Sequence, residues 1–416
     1  MRGEHKNYGV RGNASLPYTL RNTHQTTPAL RGKFRSRKQS HDVKRVAYAA
    51  LICATGPALS TLKNANYPSA PRTLPHVAAD TMEPEMPEQV SVCIPTFERP
   101  KLLQAAIHSC LAQTYRPLHI VVGDNSRSAE TADALRALPV PEGVTFDYLP
   151  RAEIASQREN VIRLFNYVTT RYVSLLHDDD LFAPGGLDAT IQAAYEYPSS
   201  VGAFGVQEVV DSAGTVLSAE TAHFNQTYLR TEEYLDRIQS LWFSVLSLQL
   251  PSNGFVLKTS LAKQAATTLP PDPGSAVDVA FALRLAELSG DASIFVSPVT
   301  THRYRLTPGA ETERLDHLPI FTILQQMTVP DAYKDLQKRR LAIFLIAAIN
   351  ERLSRGDVKT ARELILSQDY PASKRWRPMG IFHTAAAHLR LPPSVVRVPY
   401  AISGNRRFAH RNSAKA

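Results

Sequence analysis

YVSLLHDDDLFAP, residues 172–184, is the stretch that decides the fold. An apolar run typical of a buried strand leads directly into His177 and three adjacent carboxylates, Asp178, Asp179 and Asp180. Adjacent like charges repel each other, so the chain must offset them. Solvation in a turn, hydrogen bonds from the N–H groups of a following helix, or a divalent cation with oxygen ligands could each do so.

The same pattern of an apolar run, a polar tip and a helical segment recurs around this stretch. The strand-like segments are QVSVCIP (89–95), LHIVVGDNS (118–126) and VTFDYLP (144–150), and the helical ones are PKLLQAAIHSCLAQ (100–113), TADALRAL (131–138), residues 156–169 and GGLDATIQAAYEY (185–197). Strand and helix alternating in units of about 30 to 40 residues predict an α/β fold with a mostly parallel central sheet, covered by helices on both faces.

Three polar tips, PTFER, GDNS and HDDD, follow three of the predicted strands. In open parallel sheets, ligands bind beyond the carboxyl ends of the strands. The sequence therefore predicts that the three tips converge in one cleft.

Beyond residue 201 the alternation is looser. GAFGVQEVVDSAGTVLS (202–218) predicts a hairpin, SLQLPSNGFVLK (247–258) a strand with a glycine turn, SAVDVAFALRLAELSG (275–290) a helix beginning near Asp278, and IFVSPVTTHRYR (294–305) a late strand. After Ala332 the pattern predicts two helices joined at Gly356.

Charge is distributed unevenly along the 416 residues. Residues 1–45 carry 11 Lys and Arg, residues 371–416 carry 9 with no acid, and 27 basic and 36 acidic residues remain between them. We expect a disordered basic tail (1–87), an α/β domain (88–310) and a helical extension with a basic tail (311–416). The basic ends suit phosphate-bearing surfaces, or are simply solvated, and do not indicate a nucleic-acid-binding fold. Translation from Met82 or Met86 would remove only the first segment.

The cysteines and the apolar segments indicate where in the cell the protein is expected. Cys53, Cys93 and Cys110 have no CxxC spacing, which predicts buried, reduced thiols in a cytoplasmic protein without structural zinc. VAYAALICATGPALS (46–60) is too short to span a bilayer and lies too far along the chain for an ordinary signal peptide. KRRLAIFLIAAI (338–349) is either a buried helix or one that lies peripherally on anionic lipid at the inner face of a membrane.

VSVCIPTFERP (90–100), IVVGDNS (120–126) and YVSLLHDDDLFAP, in this order and spacing, resemble the GT-A-fold glycosyltransferases of family 2. The resemblance covers residues 89–306. It implies a nucleotide-sugar donor, a divalent metal, usually Mn²⁺ or Mg²⁺, and inversion at the anomeric carbon by direct displacement. A cation at the phosphates would stabilise the charge on the departing nucleoside diphosphate.

The resemblance also implies roles for individual residues in the three tips. Asp179 and Asp180 would bind the metal, with Asp178 directed to the ribose or the metal. His177 stands where the family's first aspartate is common, and is either a nitrogen ligand or a packing residue. The implied donor-binding residues are Pro95, Thr96, Phe97, Glu98, Arg99, Asp124, Asp178 and Arg305.

Several of these donor roles have alternatives. Phe97 would stack on the base, with Thr96 and the adjacent main chain offering hydrogen bonds to the nucleoside, and Glu98 replaces a common asparagine. Arg99 reaches the pyrophosphate or caps a loop. Asp124 contacts the base or ribose or forms an Asx turn. Asn160 matches a family asparagine, or lies on an exposed helix face.

The general base is expected at the start of the helix near residue 278. Asp278 is the candidate, although Val277 replaces the usual preceding glutamate, and a simple helix cap is the alternative. Arg305 would steady the diphosphate. Thr307 stands where a histidine is frequent, so no metal role is assigned there, and His302 is a further site candidate.

These observations predict an inverting, metal-dependent glycosyltransferase of polysaccharide biosynthesis, acting on a glycan or lipid-linked acceptor. Acceptor specificity is expected within residues 206–268, where Trp242, Phe243 and the PSNGFV turn could form a sugar-stacking wall. A catalytically silent sugar- or nucleotide-binding protein on the same fold is one alternative. A nucleotidyltransferase is another, although no glycine-rich phosphate loop with a following lysine lies near the first strand.

Overall fold

The computed structural model of the chain describes residues 88–136, 138–151, 156–270, 273–274, 276–306, 316–389 and 391. The predicted amino-terminal tail, Cys53 and Thr307 lie outside the described residues. So do the predicted boundary between residues 310 and 311 and the basic tail that follows residue 391.

A nine-stranded sheet runs through the protein. Its strands are β1 (Val90–Thr96), β2 (Leu118–Asp124), β3 (Val144–Pro150), β4 (Tyr172–Leu175), β5 (Leu181–Phe182), β6 (Gly202–Val210), β7 (Arg237–Ser240), β8 (Val256–Lys258) and β9 (Ser293–Arg305). Their order is β3-β2-β1-β4-β8-β6-β9-β5, with β7 pairing with β9. Strands β3, β2, β1 and β4 are all parallel to one another, as the alternating pattern predicts.

Helices connect these strands and cover both faces. Those of the sheet region are α1 (Pro100–Leu111), α2 (Glu130–Arg136), α3 (Gln157–Tyr167), α4 (Gly186–Glu196), α5 (Ser218–Thr227), α6 (Leu241–Leu246), α7 (Thr259–Thr267) and α8 (Val277–Ser289). Pro100 occupies the first turn of α1, where its missing N–H costs nothing. Ser156 and Glu159 form a reciprocal capping box at the start of α3.

Alternation along β1 divides the core into two layers. Val90, Val92 and Ile94 pack with α1 and α4 on one face, whereas Cys93 packs with α3 on the other. Cys93 and Cys110 are buried free thiols, as predicted. The α/β class with helices on both faces is confirmed.

The second half of the sheet is more mixed than the sequence suggests. Strand β8 is antiparallel to both β4 and β6, and β5 and β7 are antiparallel to β9. The predicted hairpin at 202–218 is reduced to one isolated bridge, Val210 to Val216, because α5 begins two residues later. Strand β6 pairs instead with the distant β9.

Five helices follow the sheet region: α9 (His317–Gln326), α10 (Lys334–Ser354), α11 (Val358–Leu366), α12 (Ala372–Arg375) and α13 (Pro378–Leu389). Gly356 lies between α10 and α11 with φ of 80°, as expected for a helix terminator. The apolar residues of α10, including Phe344, Leu345 and Ile349, are buried in the core that covers the sheet, so of the two alternatives for residues 338–349 the structure shows the buried helix. None of the described helices has the length and apolar character needed to cross a bilayer.

Candidate functional site

The three polar tips meet at the carboxyl edge of the parallel strands. Thr96, the last residue of β1, lies in register with Asp124, the last residue of β2. The Thr96 hydroxyl donates to Asp178 Oδ2 at 2.8 Å, which joins the tip after β1 to the tip after β4. The convergence predicted from the sequence is therefore observed.

Arg99 offsets part of the acidic cluster. Its Nη1 donates to Asp178 Oδ1 at 3.3 Å and to Asp179 Oδ2 at 3.2 Å. Burial and the neighbouring Asp179 nevertheless raise the pKa of Asp178 to about 6, against the opposing effects of Arg99 and Thr96. One guanidinium thus leaves an excess of negative charge in a largely desolvated site.

Asp180 is held on both carboxylate oxygens. Its Oδ1 accepts from the Arg305 backbone N–H at 2.8 Å, and its Oδ2 accepts from Asn253 Nδ2 at 2.9 Å. Burial raises the pKa of Asp180 well above its usual range, and repulsion from Asp179 adds to the effect. These hydrogen bonds fix the position of the Asp180 carboxylate, although burial makes its ionised form unfavourable. A bound cation would stabilise that ionised form.

His177, Asp179 and Asp180 each offer a ligand atom, and these atoms lie within 4.8 Å of one another. Asn253 contributes to the same place, because its Nδ2 lies 3.2 Å from His177 Nδ1 and its Oδ1 is buried without a hydrogen-bond partner. Two carboxylates and an imidazole fit Mn²⁺ better than Mg²⁺, which prefers oxygen ligands alone. The residues present therefore fit a divalent metal.

The loop after β1 leaves both Phe97 and Glu98 exposed to solvent. Phe97 is 45% exposed at the rim of the cleft, next to Thr96. Glu98 has φ of 54°, a left-handed conformation that asparagine adopts readily. Its carboxylate accepts from the Arg127 N–H and the Ser128 hydroxyl, so Glu98 joins the loops after β1 and β2. The predicted donor contact of Glu98 remains a prediction.

Asp124 forms the Asx turn that the sequence left as an alternative. Its Oδ1 accepts from the Ser126 N–H at 2.7 Å, and its Oδ2 accepts from the Tyr148 hydroxyl at 2.7 Å. Asn160 is buried, so its placement on an exposed helix face is wrong. Its Nδ2 donates to the carbonyl of Gly123, where a Cβ would lie 2.5 Å from Asn160 Oδ1.

Arg305 and His302 lie beneath the acidic cluster on β9. The Arg305 guanidinium donates to the backbone carbonyls of Asp179, Asp211 and Ser212 at 2.9 to 3.3 Å. His302 is fully buried beside the Gln207 amide, and burial lowers its pKa well below the usual range. Arg305 thus supports the loop that carries the cluster, and the burial of His302 favours its neutral form. The predicted site roles of both residues remain predictions.

Asp278 lies at the start of α8, in electrostatic contact with His177. It is accessible to solvent, but the protein that surrounds it disfavours its charge and raises its pKa, against the opposing effects of the Val279 N–H and His177. The structure therefore brings the base candidate to the metal-site candidate, across about 100 residues of sequence.

Sequence reasoning missed three contributors to this region: Asn253, Tyr228 and Arg340. The sequence indicates Asn253 only as part of the PSNGFV turn. Tyr228 interacts electrostatically with both Asp278 and Arg340. Arg340 comes from the buried helix α10, donates from Nε to the Leu246 carbonyl at 2.8 Å, and has a buried Nη1 without a hydrogen-bond partner. No local pattern marks an arginine in a helix as part of a site on a distant sheet.

Known proteins with similarity to this chain include one curated relative and several solved structures. A 108-residue segment, 26% of the chain, is 30% identical to the GalNAc(5)-diNAcBac-PP-undecaprenol beta-1,3-glucosyltransferase of Campylobacter jejuni subsp. jejuni serotype O:2, and it spans about a third (35%) of that protein. Among solved structures, S. aureus TarS superposes with a TM-score of 0.49 at 14% identity, covering 76% of this chain and 55% of TarS. The mannosyltransferase PcManGT of Pyrobaculum calidifontis, in complex with GDP-Man and Mn²⁺, gives 0.47 at 14%, covering 88% of this chain and 99% of PcManGT.

One family model extends across the whole sheet region. The model described as "Glycosyltransferase like family 2" matches residues 87–303, which is more than half of the chain. Its span begins before β1 and ends within β9, so it includes the three tips and Asp278. The chain, with its GT-A arrangement of strands, therefore belongs to glycosyltransferase-like family 2.

Proposed function

We propose that the protein transfers a sugar from a nucleotide-sugar donor to a hydroxyl of a glycan or lipid-linked acceptor, with inversion and with a divalent metal. The observation that carries this proposal is the grouping of His177, Asp179 and Asp180 at the carboxyl edge of the sheet, with Asp278 in electrostatic contact with His177. The glucosyltransferase relative is named for a PP-undecaprenol substrate, which supports the lipid-linked alternative for the acceptor.

A bound Mn²⁺ or Mg²⁺ would supply positive charge to the diphosphate as it leaves. His177, Asp179 and Asp180 would hold it, with Asp180 oriented by the Arg305 N–H and Asn253. Arg99 would then be released from the two carboxylates it bridges and could bind the pyrophosphate. Asp178, held by Thr96, would accept from the ribose.

Asp278 would take the proton of the acceptor hydroxyl while that oxygen attacks the anomeric carbon from the face opposite the nucleotide. A raised pKa makes its carboxylate a stronger base than an ordinary aspartate. The replacement of the usual glutamate by Val277 is tolerable in this account, because one carboxylate is sufficient to accept one proton.

Donor binding tests this proposal directly. A panel of nucleotide sugars, each with MnCl2, is expected to include one that raises the melting temperature of the full chain, and acceptor-dependent release of nucleoside diphosphate should follow. Binding without turnover would support the silent alternative. Release of pyrophosphate from a nucleoside triphosphate would support the nucleotidyltransferase.

Phe97→Ala is expected to weaken binding of the nucleoside diphosphate by about 1 kcal/mol, roughly fivefold, because the exposed ring at the rim is the stacking partner proposed for the base. Phe97→Tyr keeps an aromatic face and should bind as the wild type does. Calorimetric titration with the diphosphate and MnCl2 measures both variants. Equal affinity of Phe97→Ala and the wild type would show that the base lies elsewhere.

We propose that membrane contact is made by the segment of the last two described helices, residues 372–389, and not by α10. Trp376 (89% exposed), between the two helices, and Ile381 (54%) and Leu389 (71%), on α13, are exposed apolar side chains, which we call together the Trp376 surface. Arg375 and Arg377 flank the tryptophan, and no acid occurs from residue 371 onward in the sequence. Exposed aromatic and aliphatic side chains among arginines suit the interface of an anionic bilayer.

The double variant Trp376→Ser, Ile381→Ser is expected to bind vesicles containing phosphatidylglycerol at least tenfold more weakly than the wild type, since both side chains lose their apolar contact with the bilayer. Vesicle flotation measures the binding. Val140→Ser, at an exposed valine distant in sequence from the Trp376 surface, serves as the matched control. Unchanged flotation of the double variant would exclude this surface as the contact.

A further inference from the structure

A cavity of about 420 Å³ lies at the end of the sheet opposite to the acidic cluster. Its lining consists of Thr169, Thr170, Arg171, Lys258, Thr259, Ser260 and Lys263. Arg171 precedes β4, whereas His177 follows it, so the four residues of β4 separate the two sites by roughly 13 Å or more at about 3.3 Å per residue. The cavity is therefore distinct from the proposed donor site.

The cavity is positively charged. Three of its lining residues, Arg171, Lys258 and Lys263, are cationic, and none of the described residues that line it is acidic. Arg171 Nη1 lies 3.5 Å from Glu88 Oε1, in a pair whose side chains are both about half exposed. Such an exposed pair contributes little, so it leaves most of the positive potential in place.

Neither Lys258 nor Lys263 forms an ion pair with a carboxylate of the residues that the structure describes. Lys258 Nζ donates to the Pro198 carbonyl at 2.7 Å, and Lys263 Nζ donates to the Asn166 carbonyl at 3.3 Å. Burial and the nearby Arg171 lower the pKa of the Lys258 ammonium. An anion in the cavity would remove the repulsion between the cations.

A helix begins at the cavity without a side-chain cap. Helix α7 starts at Thr259, and Lys258 at its N-cap position makes no capping hydrogen bond from its side chain. The Thr259 N–H donates to the Arg171 carbonyl at 3.0 Å. The N–H groups that follow in the first turn of a helix have no acceptor within the helix, and they carry its positive dipole end. Phosphate groups bind at such helix starts.

Thr259 gives an independent indication that a ligand belongs here. The residue is 4% exposed and lines the cavity, yet its hydroxyl is buried without a hydrogen-bond partner. Buried hydroxyl groups in proteins are generally hydrogen-bonded, because desolvation without a partner is costly. Thr170, by contrast, uses its hydroxyl on Ser91 and Tyr172.

We propose that this cavity binds a phosphate monoester through Lys258, Lys263, Arg171, the start of α7 and the Thr259 hydroxyl. The phosphate belongs either to a soluble molecule or to the headgroup of phosphatidic acid. Both present the same dianionic group, which matches three cations and a donor hydroxyl better than a singly charged diester does.

Inorganic phosphate is the first probe. Titration of the full chain at low ionic strength, followed by ³¹P line broadening, is expected to show binding that the double variant Lys258→Gln, Lys263→Gln weakens at least tenfold. Thr259→Val should weaken binding several-fold, and Thr259→Ser, which keeps the hydroxyl, should restore it. Lys359→Gln, on α11, is the matched control and should bind as the wild type does.

The comparison between variants isolates this cavity from any phosphate bound in the donor cleft. Retained melting temperature without phosphate shows that each variant is folded, and Thr259→Val removes no charge, so it tests the site even if the double variant is unstable. Equal phosphate binding by the wild type, the double variant and Thr259→Val would overturn the proposal.

Vesicles distinguish the two sources of the phosphate. If the source is lipid, the wild type should float more strongly with phosphatidic acid than with phosphatidylglycerol at equal surface charge, and the double variant should lose that preference. If the source is soluble, the lysine-dependent binding of inorganic phosphate remains and no such preference occurs. Either result supports the site, whereas a preference for phosphatidic acid that persists in the double variant contradicts it.

Discussion

Asp179→Asn is expected to lower sugar transfer by at least about 10³-fold without unfolding the protein. Of the two proposed carboxylate ligands, Asp179 is the one that can be changed with less effect on the fold, because Asp180 accepts hydrogen bonds from the Arg305 N–H and Asn253. Loss of its charge would weaken the cation that stabilises the leaving diphosphate, and such electrostatic stabilisation is commonly the largest contribution to catalysis.

The same substitution should leave the metal-free protein as stable as the wild type, or more so. Asp179 raises the pKa values of both Asp178 and Asp180, so it destabilises their ionised forms. Removing its charge relieves that repulsion, while Arg99 keeps its contact with Asp178. Stability given up for function in this way is typical of active sites.

Nucleoside diphosphate release and calorimetric titration with MnCl2 measure the two effects of Asp179→Asn separately. Asp133→Asn, at an exposed aspartate on α2, is the matched control and should retain activity and Mn²⁺ binding. Undiminished transfer by Asp179→Asn would exclude the proposed metal site. Lost transfer with undiminished Mn²⁺ binding would assign Asp179 to the donor and not to the metal.

Asp278→Asn is expected to lower kcat by about 10² to 10⁴, the range over which general bases contribute, with little change in donor affinity. The amide has nearly the same shape but cannot accept the proton. Single-turnover transfer and calorimetric titration with the donor separate the two quantities. Asp291→Asn, just after the other end of α8, is the matched control. A loss of donor affinity in Asp278→Asn would make Asp278 a binding residue.

The pH profile gives a second test of Asp278. The protein that surrounds Asp278 disfavours its charge and raises its pKa, so its carboxylate is protonated at pH values where an ordinary aspartate is ionised. A general base must be ionised, and kcat should therefore rise with pH until this raised pKa is passed. The Asp278→Asn variant should lose that acid limb. An identical limb in the variant would assign it to another group.

Two of the three departures from the family pattern have a structural account. His177 offers a ligand atom in the same group as Asp179 and Asp180, so a histidine at this position does not break the candidate metal site. Glu98 uses its carboxylate to join two loops of the cleft. Nothing in the structure explains Val277.

Local sequence was sufficient for the first half of the sheet. An apolar run followed by a polar tip and a helix specifies a strand, a turn and a crossover, and parallel strands place all their carboxyl ends at one edge. The sequence alone therefore predicts that Thr96, Asp124 and Asp178 lie close together. The same reasoning was less successful beyond residue 201, where β8 pairs antiparallel to β4 and β6 pairs with β9 across about 90 residues.

The sequence by itself determined the α/β class, the family and the edge at which the site lies, because these depend on periodicity and on motifs of adjacent residues. Only the tertiary structure decided which distant groups complete that edge: Asn253 and Arg305 on Asp180, Asp278 near His177, and Arg340 from α10 near Tyr228. It also decided the raised pKa values and the basic cavity at the opposite end. The desolvation of a titratable group and the charges next to it depend on how distant segments of the chain pack together, and no local sequence pattern predicts that packing.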